Sequence, residues 1–154
     1  MHGYVLGNTD GEHMFNASGE VVIKVDPSQG SHDLSLGTQL VPPGAGIPRH
    51  RHLYWDEFIY VLDGSGTVIV EDERIPIQKG ATIFIPKGEW HVFENPGTDL
   101  FILWAATPAG QEEFFRGISS RPGEPPKNLT PEQVMAIRQQ VEDDHLTRFQ
   151  SQTG

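Results

Sequence analysis

The sequence predicts an all-β domain, and three observations carry that expectation. Short β-rich runs separated by turn residues follow one another from Glu20 to Ala106. Glycine (17) and proline (12) are abundant while the hydrophobic content is an ordinary 36%. Helical periodicity begins only after the last apolar run. Strands at this spacing belong to a sandwich or barrel with antiparallel neighbours.

The elements follow in order. Residues 1–19 read as an irregular arm, extended only over Glu12 to Asn16. Strand-like runs then cover Glu20–Val25, Asp33–Val41, Glu57–Leu62, Thr67–Glu71, Arg74–Ile77, Ala81–Ile85, Trp90–Glu94 and Leu100–Ala106. Turn chemistry separates them at Asp26-Pro27, Pro42-Pro43-Gly44, Asp63-Gly64, Lys79-Gly80, Pro86-Lys87-Gly88 and Asn95-Pro96-Gly97. Asp63-Gly64-Ser65-Gly66 is a strong hairpin signal, because glycine accepts the positive φ that tight turns demand. Leu100–Ala106 is apolar at both parities, which predicts a strand covered on both faces. Gln111–Ile118 is expected to form a short helix with Phe114 and Phe115 packed down. After a proline-rich linker, Arg121 to Asn128, Thr130 fits a helix N-cap, Pro131 the first turn and Gln133 a capping box. Val134, Ile137, Val141 and Phe149 mark the face that this last helix would bury. One domain, 1–154, is expected: arm 1–19, barrel about 20–106, helical appendage about 110–150.

Composition removes several function classes. The net charge is −10 with no basic run, so no nucleic-acid partner is expected. The longest apolar run, Leu100 to Ala106, is far too short to span a bilayer, and no basic patch followed by an apolar stretch opens the chain. A soluble cytoplasmic protein, not membrane-bound, is the expectation. Cysteine is absent, which excludes disulfides, a thiolate zinc site and a cysteine nucleophile.

Histidine carries the chemistry. His50 and His52, one residue apart, would share a strand face with Arg51 turned away. Glu57 lies at the opposite parity and can join them only if the chain turns at Leu53 to Asp56, the length of a hairpin connection. His91 follows the Pro86-Lys87-Gly88 turn. Three imidazoles and a carboxylate that converge make a site for a first-row divalent metal. His2, His13, His32 and His145 have no partner at ligand spacing.

These residues carry a resemblance. Gly44-x5-His50-x-His52-x4-Glu57-x6-Gly64 matches the first motif of the cupin superfamily, and Gly80-x5-Pro86-x-Gly88-x2-His91-x3-Asn95 matches the second. The resemblance implies an antiparallel double-stranded β-helix (the cupin jelly-roll barrel), with His50, His52, Glu57 and His91 as the metal ligands. Pro86 and Gly88 would deliver His91 to the barrel mouth, and Asn95 would end its strand by bonding its own backbone in the next turn. Parity places Ile59 and Val61 on the face of Glu57 and Phe93 on that of His91, an apolar lining under the metal. Phe58, Tyr60 and Leu62 would face outward, against the other sheet's edge or a second subunit. Tyr54 and Trp55, in the turn between ligands, are read either as packing or as a rim that stacks a flat substrate.

Four protein ligands on an octahedral ion leave two positions for a small-molecule substrate or dioxygen. Imidazole and carboxylate suit Fe, Mn, Co, Ni, Zn or Cu. Thr107-Pro108-Ala109-Gly110 with Glu112-Glu113-Phe114-Phe115 is similar to the segment after the last strand in small bacterial quercetinase-like cupins. That similarity implies a metal-dependent dioxygenase of an enolisable or phenolic substrate, with Glu57 as both ligand and catalytic proton acceptor. A non-oxidative lyase, isomerase or decarboxylase and a non-catalytic ligand-binding cupin are the alternatives. Sugar-phosphate isomerisation is the least attractive of these, because no Lys or Arg is assignable to the inner face. The apolar last strand, the outward aromatics and the appended helices predict a two-fold homodimer.

Overall fold

The computed structural model describes residues 2–95 and 97–153. Among these residues, ten strands and two α-helices follow one another: β1 (Glu12–Asn16), β2 (Gly19–Val25), β3 (Ser35–Val41), β4 (Gly46–His50), β5 (Asp56–Asp63), β6 (Ser65–Val70), β7 (Glu73–Gln78), β8 (Thr82–Ile85), β9 (His91–Glu94), β10 (Leu100–Thr107), α1 (Gln111–Ile118) and α2 (Pro131–Thr153). All pairings are antiparallel: one sheet runs β1-β2-β3-β10-β5-β8, the other β4-β9-β6-β7. Each predicted run forms a strand, Glu12–Asn16 included. The Asn95-Pro96-Gly97 turn crosses Pro96, outside the described residues.

The core lies between the sheets. Ile59, Val61, Ile85, Leu100, Ile102 and Trp104 from the larger sheet meet Val68, Ile77 and Phe93 from the smaller. Alternation in β5 sends Ile59 and Val61 inward and leaves Phe58 and Tyr60 outside, 42% and 43% exposed. Phe58 meets the ring of Phe84 on β8, itself 52% exposed. β6 follows β5 through Gly64, whose φ is +84° and whose hypothetical Cβ would lie 2.0 Å from the Asp99 carbonyl oxygen, so only glycine fits.

The helices close one end of this framework. α1 buries Phe114 and Phe115, the latter 5.0 Å from the Trp104 ring, which covers part of β10. α2 opens with the expected reciprocal cap, Gln133 N–H to the Thr130 hydroxyl and Thr130 N–H to the Gln133 side chain. Its inner face differs from expectation. Val134, Ile137 and Val141 are half-buried, but Phe149 is 58% exposed, and the polar residues Arg138, Glu142 and His145 occupy the inward stripe. No helix among the described residues is long and apolar enough to cross a membrane.

Candidate metal centre

β4 is the strand that brings the first ligand into place, and the periodicity argument missed it. It is an edge strand paired with β9, so Pro48, which has no N–H to donate, is tolerated there. Ile47 pairs with Phe93 and His50 with His91, with two residues between them on β4 against one on β9, so a bulge falls at Pro48-Arg49. The extra residue turns the His50 side, rather than the Arg49 side, toward His91.

The segment between His50 and Glu57 is not a hairpin connection. β4 belongs to the smaller sheet and β5 to the larger, so the chain crosses from one to the other, and His52 lies in that crossing. A crossing segment lacks ladder partners, and other groups hold it. The Gly88 N–H donates to the His52 carbonyl at 2.6 Å, and the Lys87 N–H to the Asp56 carboxylate at 2.9 Å. The Leu53 N–H donates to Glu142 of α2 at 3.1 Å. The Pro86-Lys87-Gly88 turn thus positions two ligands, His91 through the chain and His52 through its backbone. Asn95 does not bond its own backbone: its side-chain amide donates to the Val41 carbonyl at 2.8 Å.

One potential ligand atom each from His50, His52, Glu57 and His91 lies within 4.8 Å of the others, the grouping that the spacing predicted. His52 Nε2 is 3.1 Å and His91 Nε2 3.3 Å from Glu57 Oε2. His50 Nδ1 lies 2.7 Å from the Pro48 carbonyl and His91 Nδ1 3.0 Å from that of Glu89. Each of those Nδ1 atoms must carry the ring proton, which leaves Nε2 with a bare lone pair. His91 Nε2 is buried without a hydrogen-bond partner. Converging imidazole nitrogens, one of them orphaned, beside a carboxylate oxygen fit a divalent transition ion.

Two side chains absent from the sequence reading complete the surroundings. Gln111, first residue of α1, donates to Glu57 Oε1 at 2.6 Å and leaves Oε2 toward the imidazoles. Arg138 of α2 places Nη1 3.3 Å from His52 Nδ1, its guanidinium carbon 3.8 Å above the Phe114 ring. Each had a signal in the sequence: Gln111 falls on the stripe of Phe114, Phe115 and Ile118, and Arg138 among Val134, Ile137 and Val141. A polar residue on the apolar face of a helix is aimed at something buried.

The electrostatics follow from this packing. Burial would raise the Glu57 carboxyl, but the His52 and His91 imidazoles outweigh it and hold it well below the usual carboxylate range. Burial, and next the Arg138 charge, push His50 well down. His52 is lowered by burial despite Glu57. The Arg138 guanidinium is pushed down to about 10 by burial, against the opposing pull of Glu142 and Glu57.

A cavity of about 270 Å³ opens beside the cluster. Ile47 and Phe93 line it from the smaller sheet, Ile59, Ile102 and Trp104 from the larger, and Phe114 and Phe115 from α1. Of the anticipated pocket, Ile59 and Phe93 face this cavity, whereas Val61 is fully buried in the core beneath. Tyr54 and Trp55 are not among its lining residues. Tyr54 stacks on His145 of α2 at 4.9 Å, and Trp55 is fully buried 5.2 Å from the His52 ring. Both pack the crossing segment against the helices.

Comparison with known proteins agrees with this architecture. An uncharacterised protein of Methanocaldococcus jannaschii is 35% identical over 80 residues, 51% of this chain and 64% of that one. A gentisate 1,2-dioxygenase of Ralstonia is 32% identical over 81 residues, 52% of this chain and 22% of the enzyme. The chain thus spans less than two thirds of either relative. The structure of the polyketide cyclase RemF from Streptomyces resistomycificus superposes with a TM-score of 0.63 at 22% identity, covering 92% of this chain and 99% of the cyclase, a likeness of fold. Residues 37–105 match the model of the cupin domain. Both histidine motifs lie within that match, and the two facing antiparallel sheets have the fold of the cupin superfamily.

Proposed function

We propose that this cupin holds a divalent transition metal on His50, His52, Glu57 and His91 and oxygenates a small enolisable or phenolic molecule in the adjoining cavity. The observation that carries the reading is the convergence of four ligand atoms within 4.8 Å beneath an apolar-walled cavity. The shared stretch with a gentisate 1,2-dioxygenase supports the oxidative form of it; the quercetinase-like segment is the finer part of the proposal. When bound, a redox-capable ion supplies Lewis acidity for an enolate and electrons for dioxygen.

The chain's own residues do the rest. Pro48 and Glu89 carbonyls fix the tautomers of His50 and His91. Gln111 orients Glu57, whose ionised carboxylate stands ready to take the proton that an enolisable substrate loses. Phe93, Ile59 and Trp104 exclude water from the reacting molecule.

Metal analysis followed by oxygen-uptake measurements on flavonols and β-diketones, with and without air, tests the proposal. Oxygen-dependent turnover in proportion to metal content is expected. Turnover without oxygen would transfer the site to a lyase or isomerase, and tight binding without product to a ligand-binding cupin. Glu57→Gln, saturated with metal, should stay folded and lose activity about 10²–10⁴-fold, the usual share of a proton acceptor. Wild-type metal affinity and rate in that variant would refute both roles of Glu57.

The exposed aromatics Phe58, Tyr60 and Phe84 form an apolar area on the outer face of the larger sheet. We infer that a second copy covers it in a two-fold dimer. Light scattering should return twice 17.1 kDa, and a monomeric mass at micromolar concentration would sink the inference.

A further inference from the structure

Three cations line the cavity: Arg49, Lys127 and Arg138. Two are spoken for. Arg49 lies over the Trp90 ring and donates to the Glu71 carbonyl, and Lys127 donates to the carbonyls of Arg116 and Gly117. Arg138 is different. Its guanidinium lies over the Phe114 ring, its one hydrogen-bonding contact is to His52 Nδ1, and it makes no salt bridge among the described residues. A guanidinium has five N–H donors and no acceptor, and one contact to a ring nitrogen leaves most of them without a partner.

The contact to His52 cannot survive metal loading. His52 aims Nε2 at Glu57 and the cluster. Once Nε2 gives its lone pair to a metal, the ring proton must sit on Nδ1, and the Arg138 N–H then faces another N–H. Two donors repel, so the guanidinium needs an acceptor from elsewhere. The cavity it lines also carries Asn16, Ser18, Gln39 and Gln111, but none of them accepts a hydrogen bond from Arg138, so a ligand in the cavity can supply the acceptor.

We propose that Arg138 is a substrate-binding residue that pairs with the carboxylate of a small organic acid held in the cavity beside the metal. The inference rests on the metal-centre reading above and adds the substrate class: a monocarboxylate with an enolisable or phenolic oxygen. Guanidinium and carboxylate match in shape and donor count. Glu57 and Glu142 both act on the Arg138 charge, and they would oppose a phosphate dianion more than a monoanion.

Calorimetry on zinc-loaded, redox-silent protein tests this without turnover, with pyruvate and its neutral amide, pyruvamide, as probes. Pyruvate should bind at least about ten-fold more tightly than pyruvamide, and Arg138→Gln should lose about 10–100-fold for pyruvate alone, the range for one charge-assisted pair. Arg138→Lys keeps the charge without the planar fork and should fall between the two. It also provides the measurement if the glutamine variant does not fold. Equal pyruvate affinity in wild type and variants, no preference over the amide, or no binding at all overturns the inference. Displacement of pyruvate by equimolar inorganic phosphate overturns its carboxylate class. Zinc content separates the two levels: wild type that takes up no zinc refutes the metal centre and this inference with it. Unchanged zinc with unchanged pyruvate affinity refutes Arg138 alone.

Discussion

The four ligands divide into two pairs that are held in different ways. His50 and His91 sit on the paired strands β4 and β9, and each is anchored by a main-chain carbonyl two residues upstream. Glu57 and His52 are met by side chains from outside the sheets: Gln111 on α1 holds Glu57, and Arg138 on α2 faces His52 in the metal-free site. A carbonyl anchor is present whatever side chain stands at that position. A side-chain brace is specific to the residue and to the docking of its helix. The strand-held pair therefore provides a generic metal site, and the helix-held pair adapts it to one chemistry.

The largest expected effect breaks the strand-held pair. His91→Ala removes a ligand, and zinc affinity measured by chelator competition should fall by more than about 100-fold, beyond the usual cost of losing an outer-shell partner. Glu89→Ala, by contrast, should leave affinity unchanged, because the backbone carbonyl of residue 89 does the anchoring. A substantial loss in Glu89→Ala would erase the distinction between the pairs.

Next in size comes the helix-held pair. Gln111→Leu keeps the volume and removes the donor to Glu57 Oε1. Metal affinity should drop about 10–100-fold, as for other groups that orient a ligand, with the fold intact by circular dichroism. If Gln111→Leu binds zinc as wild type does, Glu57 needs no brace from α1.

The same division explains how far the sequence could be read. The ligand set was legible because the two motifs place His50, His52, Glu57 and His91 at fixed spacings around turn residues. The strands were legible wherever β-rich runs met turn chemistry. β4 was not, because Gly46-Ile47-Pro48-Arg49-His50 has neither alternation nor β-branched enrichment, and its direction comes from a bulge set by the partner β9. Gln111 and Arg138 were hidden for another reason. Periodicity shows which helix face is apolar, but the partner of a polar residue on that face is fixed only by docking. Phe149 shows the converse: it fits the wheel, yet it stays 58% exposed.

Acid titration of the metal-free protein provides the smallest and most discriminating comparison. His50 and His52 are lowered from 6.5, mainly by burial, so the fold keeps them neutral where the unfolded chain protonates them. At these two groups the unfolded state binds more protons, so their contribution to stability falls as pH drops below 6.5, opposed by His13, which is raised by the Thr9 carbonyl and Glu20. Glu57 acts in a lower window, since its lowered carboxyl contributes stability that is present above 4.5 and lost as pH falls toward its folded value. The melting temperature should therefore decline from pH 7 to pH 5 by about a few degrees, and decline again below 4.5. Arg138 supplies the second-largest push on His50. Arg138→Gln should accordingly flatten the upper limb, because a His50 relieved of that charge protonates in the fold at a higher pH, and leave the Glu57 limb in place. An upper limb that is equally steep in the variant would mean that α2 does not reach the electrostatics of the strand-held pair.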